Sequence, residues 1–195
     1  MIRPGPGRHG PTLDDRPGVR DGVGLPAHVP EPHQRVCAVS AAERLAERGL
    51  TIPPAQVIPP GVRLTYRRLV RWENVAYLAG HGPTHGESWG SPLGRVGAEV
   101  TVEEAVAAAE LTALNVLGTI ERELGDLDAV ACWLKINGYV NAIEGFTEHA
   151  TVINGFSDLV LDLYGEDRLA ARTSVGVPHL PFDMPVEVDA VIALR

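Results

Sequence analysis

Three polar side chains near the end of the sequence have the types and spacing to bind a small acid. Arg172 and Ser174 lie two residues apart in ARTSVGV, a run of small and β-branched residues, and Glu187 follows in VEVDAVIAL. An arginine stays protonated and can form two parallel hydrogen bonds with a carboxylate, whereas a glutamate can activate a water molecule. Arg172 therefore either marks the exposed end of a strand or clamps an anion.

Both runs show the alternation of β-strands, in which successive side chains point to opposite faces. One face of the last strand is apolar, so Glu187 and Asp189 are predicted on the opposite face. In the preceding strand the apolar set is Thr173, Val175 and Val177. This pattern predicts Arg172 and Ser174 on the same sheet face as Glu187 and Asp189. A structural Arg172–Glu187 pair at a subunit interface and a ligand site both remain open.

The elements that carry these residues are predicted from capping and periodicity. Capping boxes at Ser40–Glu43 and Thr101–Glu104 start two helices, which Gly49 and Gly125 end. Apolar spacing predicts a further long helix over 146–164. Strands are predicted over 62–70, 75–80, 129–140, 172–177 and 186–194. The order indicates an α+β sandwich: one mainly antiparallel sheet with two long helices on one face. The other face needs a partner, and self-association is the simplest.

Composition separates a tail from a domain. Residues 1–40 contain seven prolines and six glycines without periodicity, which predicts disorder, and 41–195 is predicted to fold. Cys37 and Cys132 form no CxxC pair, which favours a reducing cytoplasm. No apolar run approaches the roughly 18 residues of a membrane span. The net charge of −8 argues against nucleic acid as a partner.

No metal site is predicted from the histidines. His81 and His85 are four residues apart, but Gly82 and Pro83 between them exclude the helix that would bring both to one face. His81 directly follows an apolar strand, and this position predicts that it lines a pocket.

The sequence resembles the RidA/YjgF (Rid, endoribonuclease L-PSP) family over residues 41–195. The final segment ARTSVGVPHLPFDMPVEVDAVIAL resembles the family's C-terminal signature, and YRRLVRWENVAYLAGHGP resembles an upstream motif. GDLDAVACWLKINGYVN and FTEHATVINGFSDLVLDLYGE also fit. The residues in these motifs are most similar to those of a bacterial subgroup whose domain begins with a short helix.

The resemblance implies a chorismate-mutase-like fold and a homotrimer with three inter-subunit clefts. It implies hydrolysis of reactive enamines and imines, such as 2-aminoacrylate, to 2-keto acids and ammonia, without a cofactor. Carried over by position, Arg172 grips the substrate carboxylate and Glu187 is associated with the attacking water. Tyr66, Gly80 and Asn154 match other cleft residues of the family.

Three positions differ from the usual family residues. Ala79 replaces a serine, His81 a glutamine and Ser174 a cysteine. His81 and Ser174 are still expected at the substrate. Two alternative functions keep the carboxylate clamp: a trimer that binds a small carboxylate without turnover, and a family enzyme recruited to a biosynthetic pathway. RNA cleavage is disfavoured because no basic groove is predicted.

Overall fold

The computed structural model describes residues 39–58, 60–88 and 92–195. Three α-helices and five strands follow one another in this part of the chain: α1 Ala41–Glu47, β1 Leu69–Trp72, β2 Val75–His81, α2 Val102–Leu124, β3 Val130–Asn141, α3 His149–Tyr164, β4 Ala171–Val177 and β5 Val186–Leu194. The tail predicted over 1–40 lies outside the described residues except for its last two, and Cys37 lies outside them as well.

The strands form one sheet in the order β1-β2-β5-β3-β4. Neighbouring strands are antiparallel except β3 and β4, which run parallel. The parallel pair has a simple origin, because α3 connects the two strands and returns the chain to the same end of the sheet. The predicted α+β fold with a mainly antiparallel sheet is confirmed, and β5 lies at its centre.

The long helices α2 and α3 cover one face of the sheet. Alternate residues of β5 are buried beneath them, namely Val186, Val188, Ala190, Ile192 and Leu194. The helices approach closely at Gly155, where a Cβ atom would lie only 2.1 Å from the carbonyl oxygen of Val106. The core therefore lies between this sheet face and the helices. We call the opposite sheet face the open face.

Local sequence signals set the helix ends. Both predicted capping boxes are formed, Ser40 with Glu43 and Thr101 with Glu104. Gly125 ends α2 in the left-handed conformation with φ 82°, which glycine adopts without a steric penalty. Within the described residues, no helix combines the length and apolar character needed to cross a membrane.

Two predicted boundaries are wrong. The strand expected over 62–70 begins only at Leu69, and residues 62–67 lie outside the sheet with their side chains exposed. The helix expected from Phe146 begins at His149, because the turn at Gly145 (φ 83°) delays it. Phe146 still packs against the core from the loop, which explains its apparent fit to the helical period.

Candidate functional site

The open face of the sheet carries Glu187 and Asp189, as strand alternation predicted for β5. Asp189 accepts hydrogen bonds from Nδ2 of Asn137 and from Oη of Tyr139, each at 2.8 Å. Burial raises the pKa of Glu187 above its ordinary value, and the negative charge of Asp189 raises it further. A carboxyl group with a raised pKa is better suited to exchange protons near neutral pH.

A β-bulge in β2 places glycine against this carboxyl group. Leu78 pairs with Ala190 of β5 and His81 pairs with Val188, so β2 has one extra residue between the two pairs. Gly80 lies in this bulge. A Cβ atom on Gly80 would lie 1.9 Å from Oε1 of Glu187. The missing side chain at this position is therefore what makes room for the carboxylate.

A pocket of about 110 Å³ opens beside Gly80 and Glu187. Tyr66 also lines it, so three of the predicted site residues share one pocket. Gln56 and Arg68 supply further polar groups, and the walls are otherwise mainly apolar, with Ile58, Val62, Leu64, Phe182 and Met184. The volume is far below the roughly 300–1,000 Å³ of pockets for drug-sized ligands. Such a pocket fits a small metabolite.

The prediction that Arg172 and Ser174 lie on the open face is wrong. In the parallel pairing of β3 with β4, Arg172 is opposite Ile136 and Ser174 is opposite Gly138. A Cβ on Gly138 would lie 2.6 Å from the Ile153 side chain of α3, so this row of residues faces the helices. β4 is an edge strand whose Val175 is 40% exposed, and apolar side chains there do not mark the core face.

Arg172 is instead held by α3. Its Nη1 donates hydrogen bonds to Oδ1 of Asn154 and Oγ of Ser157, both at 2.9 Å, and its Nη2 donates to the Ala150 carbonyl at 3.4 Å. The predicted site residues Arg172 and Asn154 are thus in direct contact. The Oγ of Ser174 is buried and has no hydrogen-bond partner among the described residues.

The predicted site residues therefore form two groups on opposite faces of the sheet. The pocket group contains Tyr66, Gly80 and Glu187, and the arginine group contains Asn154, Arg172 and Ser174. The sheet itself separates the guanidinium of Arg172 from the carboxyl group of Glu187. One chain alone cannot bring both side chains to the same small ligand.

His81 belongs to neither group, and the prediction that it contacts substrate is corrected. It is 3% exposed on the helix side of the sheet, with Nδ1 2.6 Å from the Ala79 carbonyl oxygen and Nε2 2.8 Å from Oγ1 of Thr119. Burial lowers its pKa to about 4, despite the opposing effect of the Ala79 hydrogen bond. The imidazole is therefore neutral at pH 7. The extra residue of the β2 bulge is what turns this side chain inward.

No set of three or more His, Cys, Asp or Glu side chains suitable for a metal ion occurs in residues 39–58, 60–88 and 92–195. Of the two histidines considered as metal ligands in the sequence, His81 is directed toward α2, where its imidazole contacts Thr119.

The two groups can be compared with known proteins. A family model described as "YjgF/chorismate_mutase-like, putative endoribonuclease" matches residues 90–191, more than half of the chain. This chain belongs to the YjgF family. The matched range includes the whole arginine group and Glu187, whereas Tyr66 and Gly80 precede it.

Individual proteins are also similar to this chain. Protein Atu1372 of Agrobacterium tumefaciens, whose function is unknown, superposes with a TM-score of 0.72 at 35% identity, over 80% of this chain and 92% of that one. Protein TCP17 of Trypanosoma cruzi is 46% identical over 107 residues, which are 54% of this chain and 67% of that protein. The YjgF gene product of Escherichia coli has a TM-score of 0.51 at 22% identity, over 74% of this chain and 98% of that one, and supports the fold.

Sequence reasoning missed three polar residues that contact the two groups. Ser157 binds Arg172 from one turn beyond Asn154 on α3, which the helical period could have indicated. Arg68 follows Tyr66 by two residues, a spacing that places both on one side of an extended segment. Gln56 lies in a proline-rich connection, and no sequence signal points to it.

Proposed function

We propose that this YjgF-family protein hydrolyses small reactive imino acids, such as 2-aminoacrylate, to 2-keto acids and ammonia without a cofactor. One observation carries the proposal. Glu187 has a raised pKa and faces a small pocket beside Gly80, where a positioned water and a compact substrate would both fit. The net charge of −8 and the size of the pocket do not favour an RNA substrate.

The proposed active site combines the pocket group of one copy with the arginine group of another. Arg172 lies on the edge strand β4, where a second subunit can reach it, and among the described residues no helix covers the open face that carries Glu187. A homotrimer with three such clefts would complete each site and also cover the open face. The separation of the two groups within one chain supports this arrangement.

The proposed reaction needs only positioning and proton transfer. Arg172 binds the α-carboxylate through charge-assisted hydrogen bonds. Glu187 accepts a proton from the water as its oxygen bonds to the C=N carbon, and the nitrogen takes up that proton to give a carbinolamine. Glu187 then carries the hydroxyl proton of the carbinolamine to the nitrogen, so that ammonia leaves as the C=O bond forms. For the enamine 2-aminoacrylate, protonation of its methylene carbon first gives the imine. Such acid–base assistance typically contributes about 10²–10⁴-fold.

A second candidate is binding of a small carboxylate without turnover. The position of Arg172 on the edge strand β4 favours it, because its guanidinium would bind an anion whether or not a water is activated. In that case 2-keto acids would raise the melting temperature of the protein, and this effect would depend on Arg172, while no imine would be consumed.

The test is release of pyruvate and ammonia from 2-aminoacrylate that a serine dehydratase generates in the same reaction. Semicarbazide competes for the imine, so the decrease in semicarbazone formation measures hydrolysis. Hydrolysis is expected with the wild type and with Arg195→Ala, an exposed control, and is expected to fall at least about tenfold with Arg172→Ala or Glu187→Gln. Equal rates for wild type and Arg172→Ala would refute the carboxylate clamp.

A further inference from the structure

A second cation lines the pocket and has no part in the proposed reaction. Arg68 is half-buried immediately before β1, and its backbone carbonyl accepts a hydrogen bond of 2.9 Å from the Ala79 amide, one residue from Gly80. This backbone contact fixes Arg68 at the β2 bulge. Arg68 lines the same pocket as Glu187.

The hydrogen-bonding capacity of Arg68 is incompletely used. Its Nη2 donates to Oε1 of Gln56, but a guanidinium has five N–H donors. In the described part of the chain no carboxylate lies within 4.0 Å of it, and the ion pairs found there involve Arg48 and Arg95. A half-buried cation without a carboxylate partner carries a desolvation penalty that an anionic ligand would offset.

The rest of the pocket strengthens an interaction with an anion. Most of the other side chains that line the pocket are apolar, and a charge interaction is stronger where apolar groups reduce its contact with water. Arg68 and Glu187 do not form an ion pair with each other, so a ligand can lie between them. The pocket thus contains two separate charged groups, the cationic Arg68 and the Glu187 carboxyl group, which is suited to proton transfer.

We propose that Arg68 binds a second carboxylate of the substrate, so that the preferred substrates are imino dicarboxylates, the imines of acidic amino acids. This inference rests on the proposed function: Arg172 of another copy holds the α-carboxylate, Glu187 faces the imine carbon, and Arg68 binds the side-chain carboxylate. A guanidinium binds a carboxylate through two parallel hydrogen bonds, which a neutral side chain of equal length cannot replace.

The experiment compares imines of glutamate and norvaline, which have five carbons each and differ in the terminal carboxylate. Amino acid oxidases generate both imines, and semicarbazide competition gives kcat/KM. The wild type is expected to prefer the glutamate imine, and Arg68→Gln is expected to lose about 10- to 100-fold of this preference. Arg68→Lys is expected to keep part of it. Arg67→Gln, an exposed neighbour, is the matched control and should keep all of it.

Binding of product analogues separates this inference from the proposed reaction. By calorimetry, 2-oxoglutarate is expected to bind more tightly than 2-oxopentanoate to the wild type and to Arg67→Gln, but not to Arg68→Gln. If no imine is hydrolysed yet this Arg68-dependent preference persists, the reaction is wrong and the carboxylate site stands. If imines are hydrolysed and the wild type does not prefer the dicarboxylate, or Arg68→Gln retains the preference, the inference is overturned.

Discussion

Arg172 and Glu187 lie on opposite faces of the same sheet. Arg172 is hydrogen-bonded to Asn154 and Ser157 of α3 on the helix side, whereas Glu187 lies on the open face against Gly80. Any ligand that contacts both side chains must therefore lie between two copies of the chain. This relationship makes the assembly directly testable.

Mixing two inactive variants should restore activity. Arg172→Ala chains keep Glu187, and Glu187→Gln chains keep Arg172, so the proposed homotrimer, assembled from both variants, would contain some clefts with both native residues. Random mixing of equal amounts in a closed ring gives about one quarter native sites. Imine hydrolysis after co-refolding is the measurement, and each variant refolded alone is the control. Failure of properly assembled mixed trimers to recover activity would contradict a shared site.

The raised pKa of Glu187 predicts a stability change with pH. Because the folded state binds this proton more tightly than the unfolded state, folding stability falls as pH rises from the ordinary value of 4.5 through the raised one. Glu187→Gln removes this loss. Its melting temperature should therefore exceed that of the wild type at pH 7 and approach it at pH 4. A variant that is less stable than wild type at pH 7 would contradict the direction of the shift.

The lowered pKa of His81 predicts a change of folding stability with pH in the opposite direction. Its folded-state pKa of about 4 lies below its ordinary 6.5, so the unfolded state binds more protons between these values. Stability should fall as pH drops through this window, by on the order of 3 kcal/mol. His81→Gln should lose most of this dependence in denaturant unfolding at pH 4.5 and pH 7. An unchanged pH slope in this variant would show that other groups cause it.

Gly80→Ala should impair activity more than folding. The added Cβ meets the Glu187 carboxylate, which is the movable end of a side chain, so the carboxylate is displaced while the sheet remains. A displacement of about 1 Å can lower kcat by about 10²-fold. Imine hydrolysis and thermal unfolding are measured together, and full activity with a wild-type melting temperature would contradict the proposed role of Glu187.

Gly155→Ala is the complementary change. Its Cβ meets the backbone of Val106, which cannot move without shifting α2, and the free energy of unfolding should fall by about 1–3 kcal/mol. Activity per folded molecule should stay near that of the wild type, since Gly155 lies in neither the pocket group nor the arginine group. Chemical denaturation and active-site titration distinguish the two glycine variants.

The starts of α1 and α2 and the alternation of the central strand could be predicted from the sequence because their determinants are mainly local. Ser40 and Thr101 each meet the glutamate three residues later, so a capping box needs no distant partner. β5 lies between two other strands, and one of its faces packs against the helices. The apolar–polar alternation of its sequence around Glu187 therefore matches the observed alternation of buried and half-buried residues.

The face of Arg172 and the direction of His81 were decided only by tertiary structure. On the edge strand β4, the apolar Val175 is exposed, and the polar residues of α3 give Arg172 its partners on the other side. In β2, one extra residue opposite β5 reverses the alternation and buries His81 against Thr119. The sequence by itself determined which polar residues are candidates for a ligand site. Strand pairing, which depends on residues far apart in the chain, decided on which side of the sheet each one lies.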